Sequence, residues 1–404
     1  MKMLRKLGMA AAVSLAFGAA QAQISDGVIK IGVMNDQSGT YADLAGPGSV
    51  VAARMAIEDF GAAKKGMKVE VLVGDHQNKP DVGSGIARQW YDVDKVDMIM
   101  DVPTSSVVLA VNQITKEKNK AMIVSTGATS DLSGKACTPN SIHWTYDTWA
   151  LANGTASAIV KTGGKNWFFL TADYAFGHAL ERDAEAVVIK NGGKVLGKVR
   201  HPFPSADFSS FLLQAQASKA QIIGLANAGA DTTNAIKQGA EFGIVKGGQQ
   251  FAGLLVFLTD VHALGLEKAQ GLLLTEAFYW DRTPQTRAWS ERFAKLHKGA
   301  MPTMAQAGVY SATLHYLKAV EAIKSDDGPK VIAQMKKMPS DDQAFGKGSV
   351  RQDGRHIHDM YLFEVKKPAE SKGSWDYYKV RATIPAAQAF RPIDQGDCPL
   401  VAKK

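Results

Sequence analysis

The feature that most constrains this chain is a rhythm. Short apolar or alternating runs at residues 28–34, 69–73, 98–102, 121–125, 167–171 and 222–226 read as strands. Between them apolar residues recur at helical spacing, as in Val50, Ala53, Ile57 and Phe60, in Val82, Ile86, Trp90 and Val93, and in Phe208, Phe211, Leu212 and Ala215. Such alternation predicts an α/β fold of parallel sheets joined by right-handed crossovers, each sheet covered by helices on both faces. The 404 residues exceed one typical core, so two lobes are expected.

Gly-Gly pairs at 163–164, 192–193 and 247–248 fall where helices should stop and read as C-caps. No glycine-rich phosphate loop spacing accompanies them. After Trp280 the rhythm gives way to longer helices over 284–297 and 302–324, then to extended pieces near 360–365 and 377–380. A chain in this order can visit one lobe, the other, and then each again.

The N-terminus reads as a secretory signal peptide over residues 1–22. Lys2, Arg5 and Lys6 precede an apolar run at 7–20, and Ala20-Gln21-Ala22 offers a small-x-small cleavage pattern. The run is too short for a membrane anchor, and the mature chain is expected to begin near Gln23. The formal charge of +8 includes those three cations, and the remaining Lys and Arg are scattered without an aromatic-basic stripe, which argues against nucleic acid. Two cysteines occur, Cys137 and Cys398. In an oxidising compartment one bridge is expected, tying the C-terminal tail to the body, with two free buried thiols as the alternative.

Several landmarks occur in a telling order: Ile29-Lys30-Ile31-Gly32-Val33, Ser38-Gly39, Pro103-Thr104-Ser105-Ser106, Ser125-Thr126-Gly127-Ala128-Thr129, Asp173-Tyr174-Ala175-Phe176-Gly177, Phe345-Gly346 and Asp353-Gly354. Together they resemble the type I periplasmic binding proteins of ABC transporters, in the branched-chain amino acid receptor group, over about residues 24–400. The resemblance implies two doubly wound parallel-sheet lobes joined by a three-crossing hinge. The first would comprise 23–144 plus 279–345, the second 145–278 plus 346–404. It also implies a monomeric periplasmic receptor without cofactor or metal, which closes over a small organic acid and presents it to permease subunits in the inner membrane.

A carboxylate wants backbone N–H groups at a helix start and short hydroxyl donors. Thr104 and Ser105 occupy such a strand-to-helix turn, and Ala128 and Thr129 match the family's other carboxylate-binding positions. Ser38, Tyr41 and Ser125 are counted with them on the first lobe. Tyr174 matches the position of an aromatic residue that closes over the ligand, with Asn227, Phe257 and Tyr279 completing the second side. Amino acid receptors of this family place a glutamate after a Phe-x-Gly strand start to pair with the ligand ammonium. Here Phe251-Ala252-Gly253 is followed by Leu254, Leu255, Val256 and Phe257. An uncompensated buried ammonium is costly, so the resemblance points instead to an aromatic acid of the benzoate or hydroxycinnamate type. Branched-chain amino acids, short amides or urea are the alternative ligands, and a sensor feeding a signalling partner is the alternative role.

An enzyme is not expected, because the sequence contains no G-x-S-x-G, S-x-x-K or H-E-x-x-H. His356, His358 and Asp359 include metal-competent side chains but lack identifiable further ligands, so a polar hairpin is the expectation there.

Overall fold

The computed structural model describes residues 24–402. The expected signal peptide lies outside the described residues. Five parallel strands build the first sheet: β1 (Ile29–Asn35), β2 (Val69–Asp75), β3 (Met98–Asp101), β4 (Ala121–Val124) and β5 (Ser141–His143), in the order β2-β1-β3-β4-β5. β3 and β4 are buried throughout, as a strand covered on both faces must be. Four parallel strands build the second: β6 (Asn166–Ala172), β7 (Lys194–His201), β8 (Ile222–Ala226) and β9 (Gln250–Gly253), in the order β7-β6-β8-β9. Each sheet therefore reverses its winding beside its first strand, between β1 and β3 and between β6 and β8. Open α/β sheets carry their binding crevices at such switch points, beyond the C-terminal ends of the strands.

The helices expected at 284–297 and 302–324 are present as Pro284–Leu296 and Met304–Ile323, the second buried along nearly its whole length against the helix Gly46–Phe60. Gly163, Gly192 and Gly248 all have positive φ, which is the backbone reason for glycine at these helix ends.

The late strands add two small antiparallel sheets. β10 (Leu273–Glu276) pairs with β14 (Met360–Val365), which pairs with β15 (Tyr378–Ile384). The other sheet joins β11 (Ser340–Asp342), β12 (Gly346–Val350) and β13 (His356–Ile357). β13 abuts the end of the first sheet through a bridge between His143 and Arg355. Beyond β15 the chain returns to the first lobe, where Cys398 is bonded to Cys137. The C-terminal boundary expected from the resemblance is corrected accordingly: residues 346–357 and the tail pack with the first lobe, because β12 pairs with β11 and the disulfide fixes the tail.

A polar knot ties the crossings together. Arg355 is fully buried, stacks on Phe390 at 4.3 Å, and donates to the carbonyls of Tyr146 (2.9 Å), Trp144 (2.6 Å) and His356 (3.0 Å). Asp147 lies 3.5 Å from the guanidinium. His356 stacks on Trp144 and shares a hydrogen bond with Ser340, while His358 packs against Phe345 and Phe390. The expected hairpin is present, since β12 pairs antiparallel with β13, and it is packed into the interior with both histidines buried. Among the described residues no cluster of three metal-competent side chains occurs.

Candidate ligand cleft between the lobes

Nearly every cleft residue sits just past the end of a parallel strand. From the first lobe come Tyr41 and Leu44 after β1, Pro103, Thr104 and Ser105 after β3, Thr126 and Ala128 after β4, and Tyr146 after β5. From the second come Tyr174 and Phe176 after β6, Ala228 after β8, and Leu255 and Phe257 after β9. Together they line a narrow cleft with a cavity of about 20 Å³, and no charged side chain lines it among the described residues.

The first wall offers hydrogen-bond donors. Ser105 opens the helix Ser105–Glu117; the Val107 and Val108 N–H groups are bonded to the Thr104 carbonyl, which leaves those of Ser105 and Ser106 at the positive end of the helix dipole. The Ser105 Oγ accepts from the Thr129 N–H at 3.2 Å, which leaves its own proton for a guest. The Thr104 hydroxyl donates to Asn78. The loop feeding this turn is strained, with Asp101, Val102 and Thr104 at φ values of 87°, 48° and 72°. Left-handed backbone at non-glycine residues costs on the order of 1–3 kcal/mol each and concentrates where groups are presented to ligands. Asp101 anchors the loop from below by accepting from Asn35 Nδ2 at 3.0 Å and from the Thr126 hydroxyl.

The second wall is aromatic and meets the first at the mouth. The Tyr41 and Tyr174 hydroxyls share a 2.5 Å hydrogen bond, and Phe203 stacks on both rings, at 5.3 Å from Tyr41 and 4.4 Å from Tyr174. Burial pushes both phenols above their usual range, so they remain neutral donors. Gly229, at φ 59°, approaches so closely that a Cβ there would lie 2.6 Å from the Thr40 carbonyl. Only glycine permits that contact between lobes. At the rear edge Arg182 reaches Asp131 (3.1 Å) and Ser130 (2.9 Å), binding the second lobe to the first.

The Phe203 loop is itself held from behind. His201 shares hydrogen bonds with the Pro202 carbonyl (2.8 Å) and the Asn227 amide (3.1 Å), and the Ser205 N–H donates to Asp231 at 3.0 Å. Burial pushes the Asp231 carboxyl up to about 7 and holds the His201 imidazole below its usual range. Asp260 and Glu276, also buried behind this wall, are raised for the same reason, Asp260 to about 7.

Of the residues expected at the site, Tyr41, Thr104, Ser105, Ala128, Tyr174 and Phe257 line the cleft. Five others do not reach it. Ser38 is bonded to Asp75 on the exposed rim, and Ser125 is bonded to Ala305 and Thr145 inside the first lobe. Thr129 caps a short helix by accepting from the Asp131 N–H. Asn227 is engaged by His201 and Thr232, one residue short of the lining Ala228. Tyr279 packs among Trp280, Phe363 and Tyr378 and donates to the Trp375 carbonyl. Thr126, Tyr146, Phe176, Ala228 and Leu255 were not singled out, although each lies within four residues of an adjacent strand or hinge end. Phe203 was missed because β7 was: its alternation is weak, broken by Gly197, and half exposed at the sheet edge.

The family model for periplasmic binding proteins matches residues 28–373. The chain belongs to this family. A crystal structure of a periplasmic binding protein from Burkholderia mallei is 53% identical, with a TM-score of 0.90, covering 93% of this chain and 99% of that one. A branched-chain amino acid ABC transporter periplasmic ligand-binding protein from Burkholderia xenovorans LB400 is 41% identical, with a TM-score of 0.82, covering 92% and 99%. An ABC transporter solute-binding protein from R. palustris, in complex with benzoate, shares the fold at 19% identity and a TM-score of 0.79, over 89% and 97% of the two chains. This periplasmic binding protein is thus a substrate-binding protein of the branched-chain amino acid ABC transporter family, with the expected two-lobed α/β fold.

Proposed function

We propose that the protein captures a small aromatic carboxylate, of benzoate or hydroxycinnamate type, by closure of the two lobes and delivers it to an ABC permease. The observation that carries this reading is the cleft's division into a donor wall without a counter-anion and an aromatic wall without any charge. A carboxylate would face the start of the helix Ser105–Glu117, with donors from Ser105 and the backbone at Ala128. Its ring would lie among Tyr41, Tyr146, Tyr174, Phe176 and Phe257. The benzoate complex of the same fold is consistent with this at the level of architecture alone.

The test is thermal unfolding of refolded, ligand-stripped protein against benzoates, hydroxycinnamates, aliphatic acids, leucine, valine and urea. A ligand at a hundred times its dissociation constant adds about 2.7 kcal/mol of stability. Stabilisation by aromatic acids and not by leucine or urea is expected; the reverse pattern removes the aromatic reading.

One observation favours a second ligand class. Asp231 is 1% exposed and its Oδ2 has no hydrogen-bond partner. If it turned toward the cleft it could serve a ligand ammonium, the role left vacant after Gly253. Stabilisation by leucine that is lost in Asp231→Asn would favour a branched-chain amino acid.

A further inference from the structure

Asp101 is a buried carboxyl one hydrogen bond from the cleft lining, and the ligand reading leaves it without a role. It is fully buried at the end of β3, and among the described residues no cation forms an ion pair with it. Its two oxygens are engaged by Asn35 Nδ2, at 3.0 Å, and by the Thr126 hydroxyl. Thr126 in turn lines the cleft. One side chain therefore stands between a buried carboxyl and the place proposed for the ligand carboxylate.

The groups facing Asp101 supply no positive charge. From β1 comes Asn35, followed by Asp36, whose carboxylate is held by the N–H groups of Gly39 and Tyr41 and by Asn78. The helix Gly46–Phe60 presents Ser49, the loop after β4 presents Thr126, and the segment after β5 presents Tyr146, whose hydroxyl donates to the Thr126 carbonyl at 2.8 Å. Burial raises the Asp101 carboxyl above its usual range. While Asp101 is ionised it can only accept, so Thr126 must point its proton inward. A ligand anion would then meet the lone pairs of Thr126 and, behind them, a second negative charge.

We propose that capture of an anionic ligand is proton-linked through Asp101 and Thr126, with one proton taken from solvent for each carboxylate bound. The proton enters Asp101 as a new O–H that donates to Thr126 Oγ1. The Thr126 O–H leaves Asp101 and donates to the ligand carboxylate. No covalent bond other than O–H changes, and the charge of the incoming anion is matched by the proton. This makes Thr126 a specificity-determining contact for anions and Asp101 its positioning residue. The inference rests on the proposed carboxylate orientation in the cleft.

Calorimetric titration of the mature protein with benzoate, 4-hydroxybenzoate and leucine, in buffers of different ionisation enthalpy, measures proton uptake directly. For whichever carboxylate binds, the expected result is uptake approaching one proton per ligand at alkaline pH. Affinity should then fall toward tenfold per pH unit as pH rises there. Asp101→Asn, whose amide can donate to Thr126 permanently, should bind without proton uptake and without that pH dependence. Thr126→Val should bind more weakly at low pH and likewise lose the dependence. Binding by wild type with no proton exchange between pH 6 and 9 overturns the inference while leaving the ligand reading intact. If none of the three binds, the ligand reading fails, and unfolding of wild type against Asp101→Asn still decides whether Asp101 titrates. With its carboxyl raised in the fold, wild type should lose stability relative to the variant as pH rises from about 4. A pH-independent difference up to pH 9 would overturn the inference on its own.

Discussion

The two walls of the cleft are built by the same rule and do different work. Both are made from residues just past the ends of parallel strands, at the switch point of a doubly wound sheet. The first wall places a helix start, a strained loop and short hydroxyls there. The second places Tyr174, Phe176, Leu255 and Phe257 there, with Phe203 folded over the mouth. The difference teaches that topology sets where a ligand can sit, while the few residues beyond each strand set which part of it each lobe recognises. Under the proposed function, the donor wall reads the charged end of a ligand, and the aromatic wall, joined by Tyr41 and Tyr146 of the first lobe, reads its body.

The sharpest way to break that division is at Tyr174. Tyr174→Ala removes the stack on Phe203 and the hydrogen bond to Tyr41, and should cost about 2–3 kcal/mol of binding, roughly 30–150-fold in affinity. Titration calorimetry checks it, with most of the change expected in the dissociation rate. Ser105→Ala should cost about 1.5 kcal/mol, roughly tenfold, and should weaken acids while leaving any neutral analogue unaffected. Equal losses for acid and amide forms of one ring would show that the donor wall does not read charge.

Behind the aromatic wall, Asp231→Asn probes how firmly Phe203 is held. Its carboxyl is raised to about 7 by burial, so its contribution to stability is fully present below about 4 and is lost as pH climbs through 7. The variant should therefore show a flatter stability profile between pH 4 and 7 in thermal unfolding. The smallest effect on affinity is expected from Thr129→Ala. Loss of a helix cap costs about 1 kcal/mol of stability, while the dissociation constant should stay within roughly twofold, as for changes outside a contact.

Thr129 also shows where reading the sequence stops. The loop 125–129 was legible as a turn after a strand, because four buried apolar residues precede it. Which of its hydroxyls face the ligand was not, since Ser125, Thr126 and Thr129 differ only in the partner each finds: Ala305 from a helix 180 residues away, Asp101 from the neighbouring strand, and Asp131 two residues on. Only the second leaves its bearer in the cleft. The long helices and six strands were legible to within a few residues, β3, β4, β6 and β8 because burial leaves continuous apolar runs; β5 and β10 are buried too, but are short and end in polar residues, and were not read. The half-exposed β7 left no such trace, and with it went Phe203. Tyr279 failed for the opposite reason. An aromatic residue near a strand end belongs equally well to a cleft or to a core, and three aromatic neighbours from later in the chain or beside it claimed this one.

The returning tail has a consequence for anyone who would watch this molecule work. Ser25, near the start of the described chain, is bonded to Asp326 at 2.8 Å on the first lobe, and Cys398 is fastened to Cys137 on the same lobe. Dyes or tethers placed at the two ends would ride on one rigid half and stay silent however far the other half swings. A reporter of motion must instead be planted within the second lobe, where the exposed turn around Lys246 and Gly247 offers a place for it.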